Sequence, residues 1–247
     1  MLQIRASLFA LFTVLPSVAL AQTVATHSGS SSVNDRVLKA PYSARRRFTN
    51  VKKSGDGTID RTETGGSEAR DSAGCTYSAG ERLWTYWDGK KRVLKSEMLY
   101  RISDPVAKTD TRWDSSSNEV KVIHWPESAP EELASKTQCA TACYEDTMSA
   151  AGTVIEKLGT KTLGAVSADG TRTSYTVPAG QDHNNQPIVV VHERWYCEEL
   201  RVVILETNDD PRSGTSTDEL VDILRSEPDV TKYLPPADYI VHDIQLP

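Results

Sequence analysis

The stretch from Leu163 to Glu206 constrains the fold more than any other part of the chain. Leu163 to Gly180, Pro187 to Tyr196 and Arg201 to Glu206 are each rich in Thr, Val and aromatic residues, and Gly, Asn, Asp and Pro separate them. β-branched and aromatic side chains suit a pleated, half-buried surface, while the separating residues suit tight turns. Three successive antiparallel strands are the reading.

The same pattern extends in both directions. A strand from Arg47 runs into Asp56-Gly57, a hairpin signal ahead of Thr58 to Glu63, and further turns are predicted at Gly65-Gly66 and from Asp71 to Gly74. Asp88-Gly89 separates Glu81–Trp87 from Val93–Ile102, where alternation puts Met98, Tyr100 and Ile102 on one face and Leu99 and Arg101 on the other. Asp104-Pro105 ends that strand, and Lys108–Trp113 and Glu119–Trp125 form a hairpin across Asp114 to Asn118. Downstream, a turn spans Asp209 to Gly214. Thr215 to Ser226 alternates as a strand does, although Leu220, Val221 and Leu224 would also share a helix face, and we read it as strand. Glu227 to Leu234 suits one short helical turn, and Asp238 to His242 a closing strand. The expected fold class is mainly β (α+β): a curved antiparallel sheet, half-barrel-like, with few short helices.

Residues 1–21 carry the cationic Arg5, the apolar run Ser7 to Leu15 and the small-residue ending Ala19-Leu20-Ala21, the layout of a secretory signal peptide cleaved before Gln22. The apolar run is shorter than the ~20 residues a membrane-spanning helix needs. No integral membrane segment is expected after cleavage, and the location is periplasmic or secreted. Residues 22–39 read as a disordered lead-in and 40–247 as one antiparallel-sheet domain with a polar insertion near 126–151. The net charge of -6, with both signs interspersed, argues against nucleic acid or an anionic membrane as partner. The basic triplets Arg45-Arg46-Arg47 and Lys90-Lys91-Arg92 qualify that statement.

Four cysteines in an exported chain point to disulfides, with Cys139 paired to Cys143 and Cys75 to Cys197 as the preferred set. No metal site is expected, because Cys139 and Cys143 lack the second ligand pair that Zn²⁺ sites use. Nor is a cofactor. Asp-Gly-Thr occurs at Asp56 and Asp169, but aspartic-protease chemistry needs the hydroxyl residue before the Gly, so both read as turns. The five histidines form no HExxH pair and no serine sits in a GxSxG elbow, so no catalytic residue is assigned. His192 and His124 are the candidates for a triad assembled in space.

The strand aromatics point instead to binding. A sheet with few helices to cover it buries its apolar face by curling or by holding a ligand. Trp84, Tyr86, Met98, Tyr100 and Trp195 are the candidate ligand-binding residues, lining an apolar concave face.

Pro41-Tyr-Ser-Ala44, Arg70-Asp-Ser-Ala-Gly74, Asp104-Pro-Val106, Leu163-Gly with Gly170-Thr-Arg-Thr173, Val177-Pro-Ala-Gly180, Glu193-Arg-Trp195, Asp210-Pro-Arg-x-Gly214 and Glu227-Pro-Asp229 resemble a family of uncharacterised exported bacterial proteins. More distantly, the meander with its Pro-Asp turn, Tyr233-Leu234, Pro235-Pro236 and final strand is similar to LolA-type lipoprotein carriers and RseB-type periplasmic sensors. That resemblance implies a half-barrel whose concave face binds acyl chains, although convincing lid helices are missing. The expected function is non-enzymatic binding of a lipid, acyl chain or lipoprotein. Protein–protein interaction through a sheet edge and basic turns is the alternative, and a hydrolase the third.

Overall fold

The computed structural model describes residues 37–125 and 152–246. The signal segment, the lead-in up to residue 36, the insertion at 126–151 and its cysteines Cys139 and Cys143 lie outside the described residues. The strands are β1 (Tyr42–Lys53), β2 (Ile59–Arg70), β3 (Thr76–Trp87), β4 (Arg92–Asp104), β5 (Thr109–Asp114), β6 (Glu119–His124), β7 (Val154–Leu163), β8 (Val166–Val177), β9 (Ile188–Cys197), β10 (Val202–Asp210), β11 (Gly214–Leu224) and β12 (Ile240–Gln245). A 3₁₀ turn, Val230–Tyr233, is the one helical element among the described residues. All twelve strands join one sheet in the order β12-β6-β5-β4-β3-β2-β1-β11-β10-β9-β8-β7. Every pairing is antiparallel except the closing strand, which lies parallel to β6.

One device makes many of the turns. An Asp at the start of each accepts main-chain N–H groups two or three residues on: Asp56 from Thr58, Asp88 from Lys90 and Lys91, Asp104 from Val106 and Ala107, and Asp114 from Ser116 and Ser117, all at 2.8–2.9 Å. The side chain closes the ring that a backbone turn would otherwise have to close, which is why these positions were legible.

Two expected turns are instead strand interior. Gly65 and Gly66 lie inside β2, and a Cβ on Gly66 would stand 2.2 Å from the Ala79 carbonyl oxygen. The Asp169-Gly170-Thr171 triplet lies inside β8, where the ring of Trp195 from β9 covers Gly170. In both places glycine marks a close approach by a neighbour rather than a bend.

The apolar interior forms two clusters. Tyr42, Ala44, Val166, Ala168, Trp195, Cys197, Leu200, Ile204, Leu220 and Ile223 make one. Cys75, Ile102, Trp113 and Val120 make the other, with Tyr77, Tyr100, Val122, Tyr233 and Tyr239 packed against them. Cys75 and Cys197 are therefore buried in different clusters, and both are free thiols, so the expected link between them is not formed. Burial pushes the Cys75 thiol up to about 12, with the Asp104 and Asp71 carboxylates adding to it.

Candidate functional site

Register decides where the candidate aromatics go. Ala79 faces Tyr100, Glu81 faces Met98, Leu83 faces Ser96, Thr85 faces Leu94 and Trp87 faces Arg92 across β3 and β4. Trp84 and Tyr86 alternate with these and lie on the opposite face, paired with Lys95 and Val93. The set expected to converge is thus split. Met98 and Tyr100 share one face, Trp84 and Tyr86 the other, and Trp195 belongs to the core cluster of the other half of the sheet. Trp195 is 7% exposed, with Gly170 beneath its ring and Lys161 Nζ 3.6 Å from the centroid.

What the sheet does build is an arm. β2 pairs with β3 only from Gly66–Gly80 to Arg70–Thr76, and β5 pairs with β4 only from Leu99 to Asp104. Beyond those limits, residues 81–87 and 92–97 find strand partners only in each other among the described residues. The arm diverges from β2 at the Gly66–Gly80 pair, where the missing side chains let the two backbones touch before they separate.

The Met98 face of this arm carries an apolar stripe. At its base Tyr77 meets Tyr233 of the 3₁₀ turn edge-on, with centroids 6.5 Å apart, and Tyr100 stacks on Trp113 at 5.1 Å. Outward follow Met98 and Leu83, both half-buried, and then Leu94 and Trp87, each 64% exposed. From Met98 to Arg92 the stripe runs about 20 Å, at ~3.4 Å per strand residue. Each successive pair supplies one apolar and one polar side chain, and Ser96 and Glu81 bond each other at 2.5 Å. Sequence reading places Met98 and Tyr100 here and counts Trp87 among the strand aromatics, but leaves out Leu83 and Leu94. The Asp88-Gly89 turn fixes the register that brings them into line, so alternation carried across that turn was the available signal.

The opposite face combines rings and cations. Trp84 and Tyr86 lie 5.5 Å apart, and Lys95 Nζ stands 5.6 Å and 5.4 Å from their centroids. Toward the base, Arg82 pairs with the buried Glu97.

The two basic triplets have different fates. Arg45 pairs with Asp222, Arg46 with Asp218 and Glu68, and Arg47 with Glu219. Cross-strand registry with an acidic β11 neutralises that triplet. Lys90, Lys91 and Arg92 sit at the end of the arm, and none of them forms an ion pair among the described residues.

Other features are polar. A groove of about 320 Å³ lies among Arg45, Arg46, Arg47, Glu63 and Thr64, and one of about 480 Å³ over Arg172, Glu193, Thr207 and Asp209. Each has a single valine in its lining. His192 Nε2 meets the Glu206 carboxylate at 2.6 Å, and His124 Nε2 meets Asp243 at 2.8 Å. No group of residues with metal-ligand geometry occurs among the described residues. No described helix is long and apolar enough to cross a membrane.

No protein family matches the chain, and no curated protein matches it. Among solved structures it is similar to an uncharacterized conserved protein from Thermus thermophilus, with TM-score 0.42 and 10% identity over 86% of this chain and 97% of that one. LprF from Mycobacterium bovis follows at TM-score 0.33 and 8% identity, over 80% and 91%. A LolA superfamily protein from Nitrosomonas europaea is also among them, at TM-score 0.20 and 8% identity over 81% and 94%. None of these likenesses brings a site residue or an activity to this chain.

Proposed function

We propose that this chain is a non-enzymatic exported protein that binds an acyl chain or a lipid along the Met98, Leu83, Leu94 and Trp87 face of the β3–β4 arm. One observation carries the reading. An apolar stripe begins packed beneath the Tyr233 turn and continues outward with nothing described above it. Exposed large apolar side chains in a row mark a binding surface far more than the same residues scattered singly. Covering the remaining exposed surface of Leu94 and Trp87 by a ligand would contribute about 1–2 kcal/mol each, since both are 64% exposed. The secretory layout of residues 1–21 supports an exported location, and the distant LolA-type resemblance agrees with a lipid or lipoprotein as ligand.

Displacement of a fluorescent fatty acid from delipidated protein tests this. Leu94→Glu and Trp87→Ser should each weaken binding at least several-fold, while Trp84→Ser on the reverse face should leave it unchanged. A protein that binds no probe and carries no lipid when purified from cells would sink the reading. A protein–protein role is the second reading. The outer strands favour it, since β7 exposes Val154 and Ile155 and β12 exposes Ile240 and Val241 at the two edges of the sheet. Capture of one defined partner with no lipid bound would favour it over the first.

A further inference from the structure

We propose that the tip of the β3–β4 arm docks onto an anionic membrane surface, Trp84, Tyr86 and Trp87 entering the headgroup region and Lys90, Lys91, Arg92 and Lys95 meeting lipid phosphates. The proposal rests on the lipid reading above and names the place where such a ligand is met.

Three observations carry it. First, the tip is locally cationic. Between Trp84 and Lys95 there are four cations and one carboxylate, Asp88, a local charge of +3 in a chain of net charge -6. Asp88 is itself engaged, accepting the main-chain N–H groups of Lys90 and Lys91 at 2.8 Å. Second, the cations are accompanied by rings. Tryptophan and tyrosine favour the membrane–water interface because their apolar bodies and polar edges match its gradient. Trp87 is 64% exposed, and Trp84 and Tyr86 are 39% and 37% exposed.

Third, the arm holds its tip away from the carboxylates at its own base. Trp87 stands about 20 Å along the strand from Glu81, and Arg92 about 17 Å from Glu97, at ~3.4 Å per residue. Both exceed twice the screening length of about 8 Å at physiological ionic strength, so Glu81 and Glu97 act only weakly on Lys90, Lys91 and Arg92. The Arg45 triplet serves as the internal contrast, since its guanidiniums are already paired with carboxylates of the same sheet. Leu94 and Trp87 on the reverse face decide between a membrane and a nucleic acid. A headgroup layer takes up both faces of a hairpin tip, whereas against a nucleic-acid strand the reverse face would stay wet.

Co-sedimentation of the full chain with phosphatidylcholine vesicles, with and without phosphatidylglycerol, tests the proposal. Every variant keeps residues 1–21, so any contribution of that segment is common to all. Binding should require phosphatidylglycerol and weaken with added salt. Lys90→Glu, Lys91→Glu and Arg92→Glu combined should reduce it at least about 100-fold, since each cation near an anionic surface contributes about fivefold and each new carboxylate adds repulsion. Trp87→Ser should weaken binding, and Arg45→Ser should leave it unchanged. The Lys90→Glu, Lys91→Glu double variant, which leaves Arg92 beside Trp87 in place, must still displace the fluorescent fatty acid as wild type does, which separates this proposal from the acyl-binding reading. Equal binding to both vesicle types, no vesicle binding, undiminished binding by the triple variant, or preference for an oligonucleotide over vesicles would each overturn it.

Discussion

Gly170→Ala is the substitution whose outcome the structure dictates most sharply. A Cβ at Gly170 would lie 2.6 Å from Cη2 and Cζ3 of Trp195 and 2.9 Å from Cβ of Leu158. Ordinary carbon–carbon contact is about 3.5–4.0 Å, so the indole must move by about 1 Å. Lys161 also crowds the ring, with Nζ 3.6 Å from its centroid. Overpacking of this kind costs about 1–3 kcal/mol. Replacing a strand glycine returns about 0.5–1 kcal/mol of backbone entropy, and the Gly170 backbone is one an alanine adopts without strain. The net expectation is a loss of about 1–2 kcal/mol, or ~2–4 °C in melting temperature per kcal/mol for a chain of this size. Urea unfolding followed by far-ultraviolet circular dichroism gives the number. A cycle with Trp195→Leu isolates its cause. Once the ring is gone, Gly170→Ala should become neutral or mildly stabilising, leaving a coupling of about 1 kcal/mol or more. If Gly170→Ala matches or exceeds wild-type stability, or loses the same amount in both backgrounds, the packing account of this glycine is wrong.

Three further outcomes follow from buried or bonded groups. The Asp210 carboxylate is held below the usual carboxylate range chiefly by hydrogen bonds from the Arg212 side chain. A depressed folded value contributes stability above the unfolded value of about 3.9 and loses it as pH falls through the folded one. Asp210→Asn should therefore cost about 1–2 kcal/mol at pH 7, with the gap to wild type closing below about pH 4; a gap independent of pH would refute the ion-pair account. The Tyr233 hydroxyl is buried without a hydrogen-bond partner among the described residues, so Tyr233→Phe should be neutral or stabilising by up to about 1 kcal/mol in thermal melts, and a clear loss would reveal an unrecognised partner. Cys75 is 8% exposed, and burial raises its thiol to about 12. Peptide mapping after iodoacetamide at pH 8 should find Cys75 unmodified in the native protein and alkylated in urea, and rapid native labelling would contradict that burial.

The fold was legible because its signals are local. Alternation and Asp-Gly or Asp-Pro punctuation act within a few residues, and they located most strands and the turns at Asp56, Asp71, Asp88, Asp104 and Asp114. Thr215 to Ser226, which alternation alone left open between strand and helix, is strand in the folded chain, and the helical turn read within Glu227 to Leu234 is present. The glycines at Gly66 and Gly170 were misread for the complementary reason. A glycine that makes a turn and one that admits a neighbour look alike until the neighbour is known, and here the neighbours are Ala79 in the adjacent hairpin and Trp195 in the next strand. The parallel pairing of β12 with β6 has the same origin, since it joins segments more than a hundred residues apart.

The candidate site divides along that line. Sequence alone supplied the residues of the arm, the alternation that sorts Met98 from Leu99, and both basic triplets. Only the tertiary structure showed that the β2–β3 pairing ends at Gly66–Gly80 and the β4–β5 pairing at Leu99, so that residues 81–87 and 92–97 pair only with each other among the described residues. It also paired Arg45, Arg46 and Arg47 with carboxylates from β2 and β11, while Lys90, Lys91 and Arg92 form no ion pair among the described residues. Strand periodicity is written in the nearest neighbours along the chain, so a sequence determines it. Where a sheet ends, and which charges find a partner across it, depends on strands distant in sequence, and only the folded chain decides it.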